Sequence, residues 1–169
     1  MKIDTVERIV RAWNEKHVRY LIAGGLAVVA HGFVRFTADM DVVLDPSTDS
    51  LRRALSVLSD LGYRPRAPVP LDQFADPARR REWGESKGLT VFSLASSVHP
   101  GTEIDLFLEP PFDFDLAYAN ARTLELAPGV AATFVGLEDL LAMKRLAGRP
   151  QDLQDIEALR ALSRGPETE

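Results

Sequence analysis

Two aspartates separated by one residue, Asp39 and Asp41, follow a glycine pair, Gly24-Gly25, and precede a third acid, Asp105. On an extended strand, positions i and i+2 face the same side, so the first two carboxylates can aim at one point. Like charges that close repel unless a cation sits between them. Hard oxygen donors at this spacing suit Mg²⁺, which bridges one or two carboxylates to substrate phosphates. Asp105 sits in Glu103-Ile104-Asp105-Leu106-Phe107-Leu108, where alternation turns Ile104 and Leu106 to the opposite face. If that strand pairs beside the one bearing Asp41, three acids converge. The third would act as general base on an attacking hydroxyl, or complete a second metal site.

Each feature alone has an ordinary explanation. A glycine pair often ends a strand, an Asp-x-Asp pair is often solvated turn chemistry, and a lone acid can close a strand. Their occurrence in this order is far more specific. Glycines after a strand and before a helix let backbone N–H groups approach a phosphate closely. Phosphatases with an aspartyl nucleophile, and many sugar transferases, place the acid pair after an apolar strand. Here Val34-Arg35-Phe36-Thr37-Ala38 is mixed and Val42-Val43-Leu44 follows, so the pair opens its strand. The segment Ala23-Gly24-Gly25-Leu26-Ala27-Val28 also misses the GxGxxG pattern of dinucleotide sites.

The elements that must position these residues are legible in outline. Ile3, Val6, Ile9, Val10 and Trp13 recur at helical spacing. Val18–Ala23 reads as a buried strand, Leu26–His31 as a short helix and Asp41–Leu44 as a strand stopped by Asp45-Pro46. Ser47 or Thr48 would cap a helix carrying Leu51, Leu55, Leu58 and Leu61 before Gly62. Three prolines break regular structure between Arg64 and Pro70, and Asp76-Pro77 opens a helix through Trp83. Leu89–Leu94 and Glu103–Leu108 read as a hairpin, and Leu137–Leu146 and Leu153–Leu162 as helices. This order predicts an α/β or α+β fold, a mixed sheet flanked by helices, in a single domain over 1–169 with a frayed tail from about residue 163.

Composition narrows the alternatives. Of 169 residues 46% are hydrophobic and 27% charged, which excludes disordered, collagen-like and coiled-coil classes. No apolar run approaches the ~20 residues that span a bilayer, and no secretory leader is evident at Met1–Arg8. The absence of Cys removes disulfides, thiolate zinc sites and cysteine nucleophiles. A soluble, cytoplasmic protein without membrane contact is expected. The net charge of −5 argues against binding nucleic acid chiefly through its phosphates, and it fits clustered carboxylates around a divalent ion.

With these residues in place, the chain resembles the polymerase-beta-like nucleotidyltransferase superfamily, and within it small bacterial proteins of the AbiEii type. The resemblance rests on Gly24-Gly25, Asp39-Met40-Asp41, Asp105, Leu141-Ala142-Met143-Lys144 and Gly148-Arg149-Pro150-Gln151-Asp152-Leu153-Gln154-Asp155, spanning about Val18 to Leu159. It implies a mixed-sheet core in which Asp39, Asp41 and Asp105 hold Mg²⁺ and carry catalysis. It further implies transfer of a nucleoside monophosphate from an NTP, with Gly24, Gly25, Arg35, Thr37, Lys144 and Asp152 as nucleotide contacts.

Departures from the pattern are Gly25, where many members have Ser, and Gln151, where a Lys is usual. Lys144 alone would read as a surface lysine of an amphipathic helix, and Asp152 as the N-cap of the last helix. His31 alone would read as structural, with a nucleotide contact as its alternative. Arg79, Arg80, Arg81, Trp83 and Lys87 are expected on a solvated helix face, or as a lid that stacks and charges an RNA acceptor. Acceptors in view are tRNA or another RNA, a protein, or a small hydroxylated molecule such as an antibiotic. The first two would make the chain a toxin with a cognate antitoxin as partner. The rival from another class is a nucleotide-binding module that has lost transfer.

Overall fold

A computed structural model describes residues 1–164. One seven-stranded mixed sheet organises the chain, in the order β3-β4-β5-β2-β1-β7-β6. The strands are β1 (Tyr20–Ile22), β2 (Asp39–Leu44), β3 (Tyr63–Pro65), β4 (Val91–Ser96), β5 (Glu103–Phe107), β6 (Arg122–Ala127) and β7 (Val130–Phe134). Helices α1 (Ile3–Glu15), α2 (Gly24–Ala30), α3 (Thr48–Asp60), α4 (Pro77–Lys87), α5 (Phe114–Ala119), α6 (Leu137–Ala147) and α7 (Pro150–Arg164) join or cover them, with a short 3₁₀ turn at Leu71–Ala75. β2 runs parallel to β5, and β1 to β7; the remaining neighbours are antiparallel. The α/β expectation of a mixed sheet flanked by helices is therefore met. The expected frayed tail lies, from residue 165 on, outside the described residues. Among the described residues no helix is long and apolar enough to cross a membrane.

Packing follows the apolar periodicity. Val6, Ile9, Val10 and Trp13 of α1 are buried, and Trp13 Nε1 donates to the Ala54 carbonyl of α3 at 3.2 Å. Met40, Val42 and Leu44 of β2 join this main core. Alternation puts Val43 on the other face, where it meets Leu21, Phe114 and Ala117 under α5. That second face is covered only toward the far end of β2. Its near end carries Asp39 and Asp41.

Several local expectations are refined. β2 starts at Asp39, so both acids are ladder residues. α2 starts at Gly24, so the glycines form its first turn. Asp76 caps α4 by accepting from the Ala78 N–H at 2.9 Å, and the helix runs past Trp83 to Gly88, whose φ of 63° ends it. Ser47 precedes α3 without a side-chain cap; its own N–H donates to Asp45 Oδ1 instead. The proline-rich stretch opens with a three-residue edge strand, β3, a place where Pro is tolerated. The β6–β7 hairpin and α5 are absent from the sequence expectation. β6 is a half-exposed edge strand and β7 is Ala-rich, so neither shows the β-branched alternation that signals a strand.

Candidate active site

Strand register assembles the acids. Across the parallel pair β2–β5, Asp39 faces Glu103 and Asp41 faces Asp105. β4 closes the other side of β5 with Ser93 opposite Asp105, and Ser93 Oγ donates to Asp105 Oδ1 at 2.6 Å. Burial, then Asp105, then Asp39 push the Asp41 carboxyl up to about 6. The Asp39 carboxyl also rises, first through burial and then through Asp105 and Glu103. Loss of hydration is the larger physical cause, and proximity of like charge adds to it.

Among the described residues, no three His, Cys, Asp or Glu side chains sit close enough to cage a metal unaided. The donor set does fit Mg²⁺. It offers hard carboxylate oxygens, crowded with like charge, and leaves coordination positions for phosphate and water. Asp41 and Asp105 would be the nearest ligands, with Asp39 beside them.

Gly24 brings backbone against these acids. Its φ is +58°, a left-handed conformation that favours glycine, and a Cβ there would overlap the Asp41 carboxylate. The neighbouring Ala23 N–H donates to the Asp41 carbonyl at 2.8 Å, fixing the end of β1 to β2. Gly25 is closed over by the loop that precedes β2. A Cβ on Gly25 would lie 2.5 Å from Thr37 Oγ1 and 3.0 Å from Arg35 Nη2. The Thr37 hydroxyl in turn donates to the Asp39 carbonyl at 3.3 Å. Only a glycine leaves room for that hydroxyl.

The last two helices supply charge. Lys144, 4% exposed, lies 3.0 Å from Asp152 Oδ1 and 2.6 Å from Asp155 Oδ2. It is therefore no surface lysine. Asp152 is the third residue of α7, not its N-cap. Its carboxylate reaches back to accept from the Arg149 N–H at 3.2 Å and from Arg149 Nε at 2.7 Å. Burial alone would raise the Asp152 pKa, but hydrogen bonds from Arg149 and Lys144 outweigh it and hold it low. Arg35 Nε lies 3.1 Å from Asp155 Oδ1, so the loop before β2 is tied to α7.

These groups line a cleft with two lobes that share Gly24, Asp41, Asp105, Lys144, Arg149 and Asp152. The larger lobe, about 660 Å³, is walled by Gly25, Arg35, Thr37, Asp39 and Gln151. The smaller, about 420 Å³, is walled by Val91, Phe107, Leu140, Met143 and Ala147. The nine residues expected to hold metal or nucleotide all line this cleft: Gly24, Gly25, Arg35, Thr37, Asp39, Asp41, Asp105, Lys144 and Asp152.

Others fall elsewhere. His31 Nε2 is 2.9 Å from the Val135 carbonyl, and burial lowers its pKa, so it pins α2 in place. Trp83 stacks on Phe92 in the core at a centroid distance of 5.0 Å. Arg80 is 3% exposed and donates to the Phe74 carbonyl at 2.7 Å. Neither lies on the expected solvated helix face or is free to act in a lid, whereas Arg79, Arg81 and Lys87 are exposed. Sequence reading gave no role to Ser93 or to the apolar lobe; Ser93 was recoverable from the hairpin register, the lobe was not.

No protein-family model matches the chain, and no curated protein matches it in sequence. Solved structures do match in shape. ANT(2")-Ia in complex with adenylyl-2"-tobramycin superposes with a TM-score of 0.60 at 17% identity, over 98% of this chain and 90% of that one. A nucleotidyltransferase-like protein from Paracoccidioides brasiliensis gives 0.61 at 19%, over 95% and 75%. The lincosamide antibiotic adenylyltransferase LnuA, lincomycin-bound, gives 0.60 at 15%, over 95% and 97%. At identities this low the likeness speaks for architecture. The chain has the nucleotidyltransferase fold.

Proposed function

We propose that the protein is a Mg²⁺-dependent nucleotidyltransferase that moves a nucleoside monophosphate from an NTP to a hydroxyl acceptor. The observation that carries this reading is the register of Asp41 against Asp105, with the Gly24 backbone packed on the Asp41 carboxylate. Bound Mg²⁺ would offset the charge of the triphosphate and of the acids that hold it, Asp41, Asp105 and Asp39. The acceptor oxygen forms a bond to the α-phosphorus as the bond to the β-phosphate oxygen breaks, releasing pyrophosphate. Asp105 receives the hydroxyl proton, and the hydrogen bond from Ser93 fixes the orientation of its carboxylate. The polar lobe, with Gly25, Arg35, Thr37 and Arg149, suits the phosphates.

For the acceptor we propose a small hydroxylated molecule held in the apolar lobe. Phe107, Leu140 and Met143 wall a space of about 420 Å³ suited to an apolar body, and two of the structural neighbours are seen with antibiotics or their adenylylated product. Burial of Trp83 and Arg80 removes two groups that an RNA-binding lid would use. One feature favours a macromolecular acceptor, as in the toxin reading with its antitoxin: Phe36, which lines the polar lobe, and Val34, two residues before it, are 81% and 84% exposed.

The test is transfer of label from α-³²P-NTPs, with Mg²⁺, to a panel of aminoglycosides, lincosamides and bulk tRNA. Metal-dependent labelling of a small molecule with release of pyrophosphate is expected. Labelling of tRNA alone would replace the acceptor assignment. Mg²⁺-NTP binding without turnover on any acceptor would favour the non-catalytic module.

A further inference from the structure

We infer that Asp155 is a positioning residue that holds the guanidinium of Arg35 over Gly25, where one of its edges meets the polyphosphate of the substrate. This rests on the nucleotidyl-transfer reading of the cleft. Asp155 lies on the second turn of α7 and is 1% exposed. Its Oδ2 is 2.6 Å from Lys144 Nζ and its Oδ1 is 3.1 Å from Arg35 Nε. Arg35 belongs to the loop between α2 and β2, far away in sequence.

The guanidinium is planar, and its edges can be followed one at a time. The Nε edge faces Asp155, and Nη1 donates to the Phe36 carbonyl at 2.9 Å. Nη2 is left over Gly25, 3.0 Å from where a Cβ on that residue would stand. Two edges held in place aim the third into the polar lobe, which Arg35 lines with Gly25 and Thr37. A planar fork with one open edge matches phosphate oxygens.

Balancing Lys144 does not account for Asp155. Asp152 already pairs with Lys144 at 3.0 Å, and Arg149 covers the remaining Asp152 oxygen at 2.7 Å. Neither Asp155 oxygen makes a directed hydrogen bond, nor does Arg35 Nε. The contact is a close, buried ion pair whose consequence is the orientation of the loop arginine.

The experiment is calorimetric titration of the full chain with Mg²⁺ and inorganic tripolyphosphate, a probe with neither base nor acceptor. Asp155→Asn should weaken tripolyphosphate by about tenfold or more, the usual loss when a charge-assisted contact is misaligned. The KM for NTP should rise by a similar factor while kcat changes little. Asp155→Glu should recover part of the affinity, and Arg35→Ala should add almost nothing to Asp155→Asn. A folded Asp155→Asn that binds tripolyphosphate as the parent does would overturn the inference, even if it melted lower. Failure of the parent to bind tripolyphosphate with Mg²⁺ would instead overturn the phosphate reading of the lobe, and this inference with it. Should Asp155→Asn fail to fold, Arg35→Lys carries the test. An ammonium keeps the charge but cannot hold three edges, so affinity should again fall, and an unchanged value would overturn the proposal.

Discussion

Two groups of aspartates sit side by side in the cleft and are treated in opposite ways. Asp39, Asp41 and Asp105 face one another, and Glu103 adds to the crowding, so the carboxyls of Asp39 and Asp41 are raised. Asp152 and Asp155, a few residues apart on α7, alternate with Arg35, Lys144 and Arg149, and Asp152 is held low. Burial penalises charge in both groups; the second is in direct contact with cations, whereas Arg149 and Lys144 offset Asp41 only in part and from further away. The difference separates a site that gains from an incoming cation from a frame that is already neutralised. In the proposed function the first group would take up metal and substrate, and the second ties α6, α7 and the loop before β2 together.

The largest way to break this comparison is Asp41→Asn. It should lower transfer by about a thousandfold or more, since the several kcal/mol that a bound metal supplies convert at about 1.4 kcal/mol per decade. Steady-state pyrophosphate release measures it. Normal turnover would remove Asp41 from the metal site. Asp105→Asn separates its two proposed roles: transfer should fall by about 10²–10⁴-fold, and Mg²⁺-NTP affinity should fall with it if Asp105 is a shared ligand but persist if it serves only as the base.

The compensated group should fail in the other currency, stability. Lys144→Ala leaves Asp152 and Asp155 facing each other with one cation fewer, in a region almost closed to water. Breaking a buried pair in this way costs about 3–5 kcal/mol, read by urea denaturation. A loss below about 1 kcal/mol would mean that Arg35 and Arg149 suffice.

Stability against pH sharpens the contrast. Asp41 is raised to about 6 in the folded chain, so the folded state binds its proton more tightly than the unfolded one. In the metal-free protein the contribution of Asp41 is therefore fully present below the ordinary carboxylate range and is lost as pH climbs through about 6, opposite in sign to that of Asp152. The full loss is up to about 3 kcal/mol. Asp41→Asn should match the parent at pH 4 and exceed it at pH 8 in metal-free denaturation. Equal stability at both values would mean that the acids are not in conflict.

The smallest effect probes the glycine cradle. Gly25→Ser places a Cβ 2.5 Å from Thr37 Oγ1, so the loop must shift. Overpacking of this kind costs about 1–3 kcal/mol, and Thr37→Gly in the same chain, which also removes the Thr37 Cβ 2.7 Å away, should return most of it. Absence of rescue would show that the loop relaxes in some other way.

Much of the site was legible because its chemistry is local. The spacing of Asp39 and Asp41 fixes a common face on any strand, and Gly24-Gly25 marks a tight strand-to-helix passage whatever packs around it. The helical periods of α1 and α3 and the cap at Asp76-Pro77 are likewise properties of consecutive residues. What escaped was set by partners distant in the chain. The β6–β7 hairpin carries a Pro128-Gly129 turn, yet its weak strand pattern becomes a sheet edge only through β1. Trp83 and Arg80 resemble an exposed recognition face until Phe92 and Phe74 close over them.

The amino-acid sequence by itself determined the kind of chemistry on offer: three acids, a glycine passage and a few cations, with no thiol among them. Only the tertiary structure decided which charges oppose and which cancel. Pairing β2 with β5 in parallel put Asp41 against Asp105, while packing α7 beside the loop of Arg35 put Asp155 between two cations. Electrostatic energy depends on separation in space and on exclusion of water, and neither is a property of position along the chain.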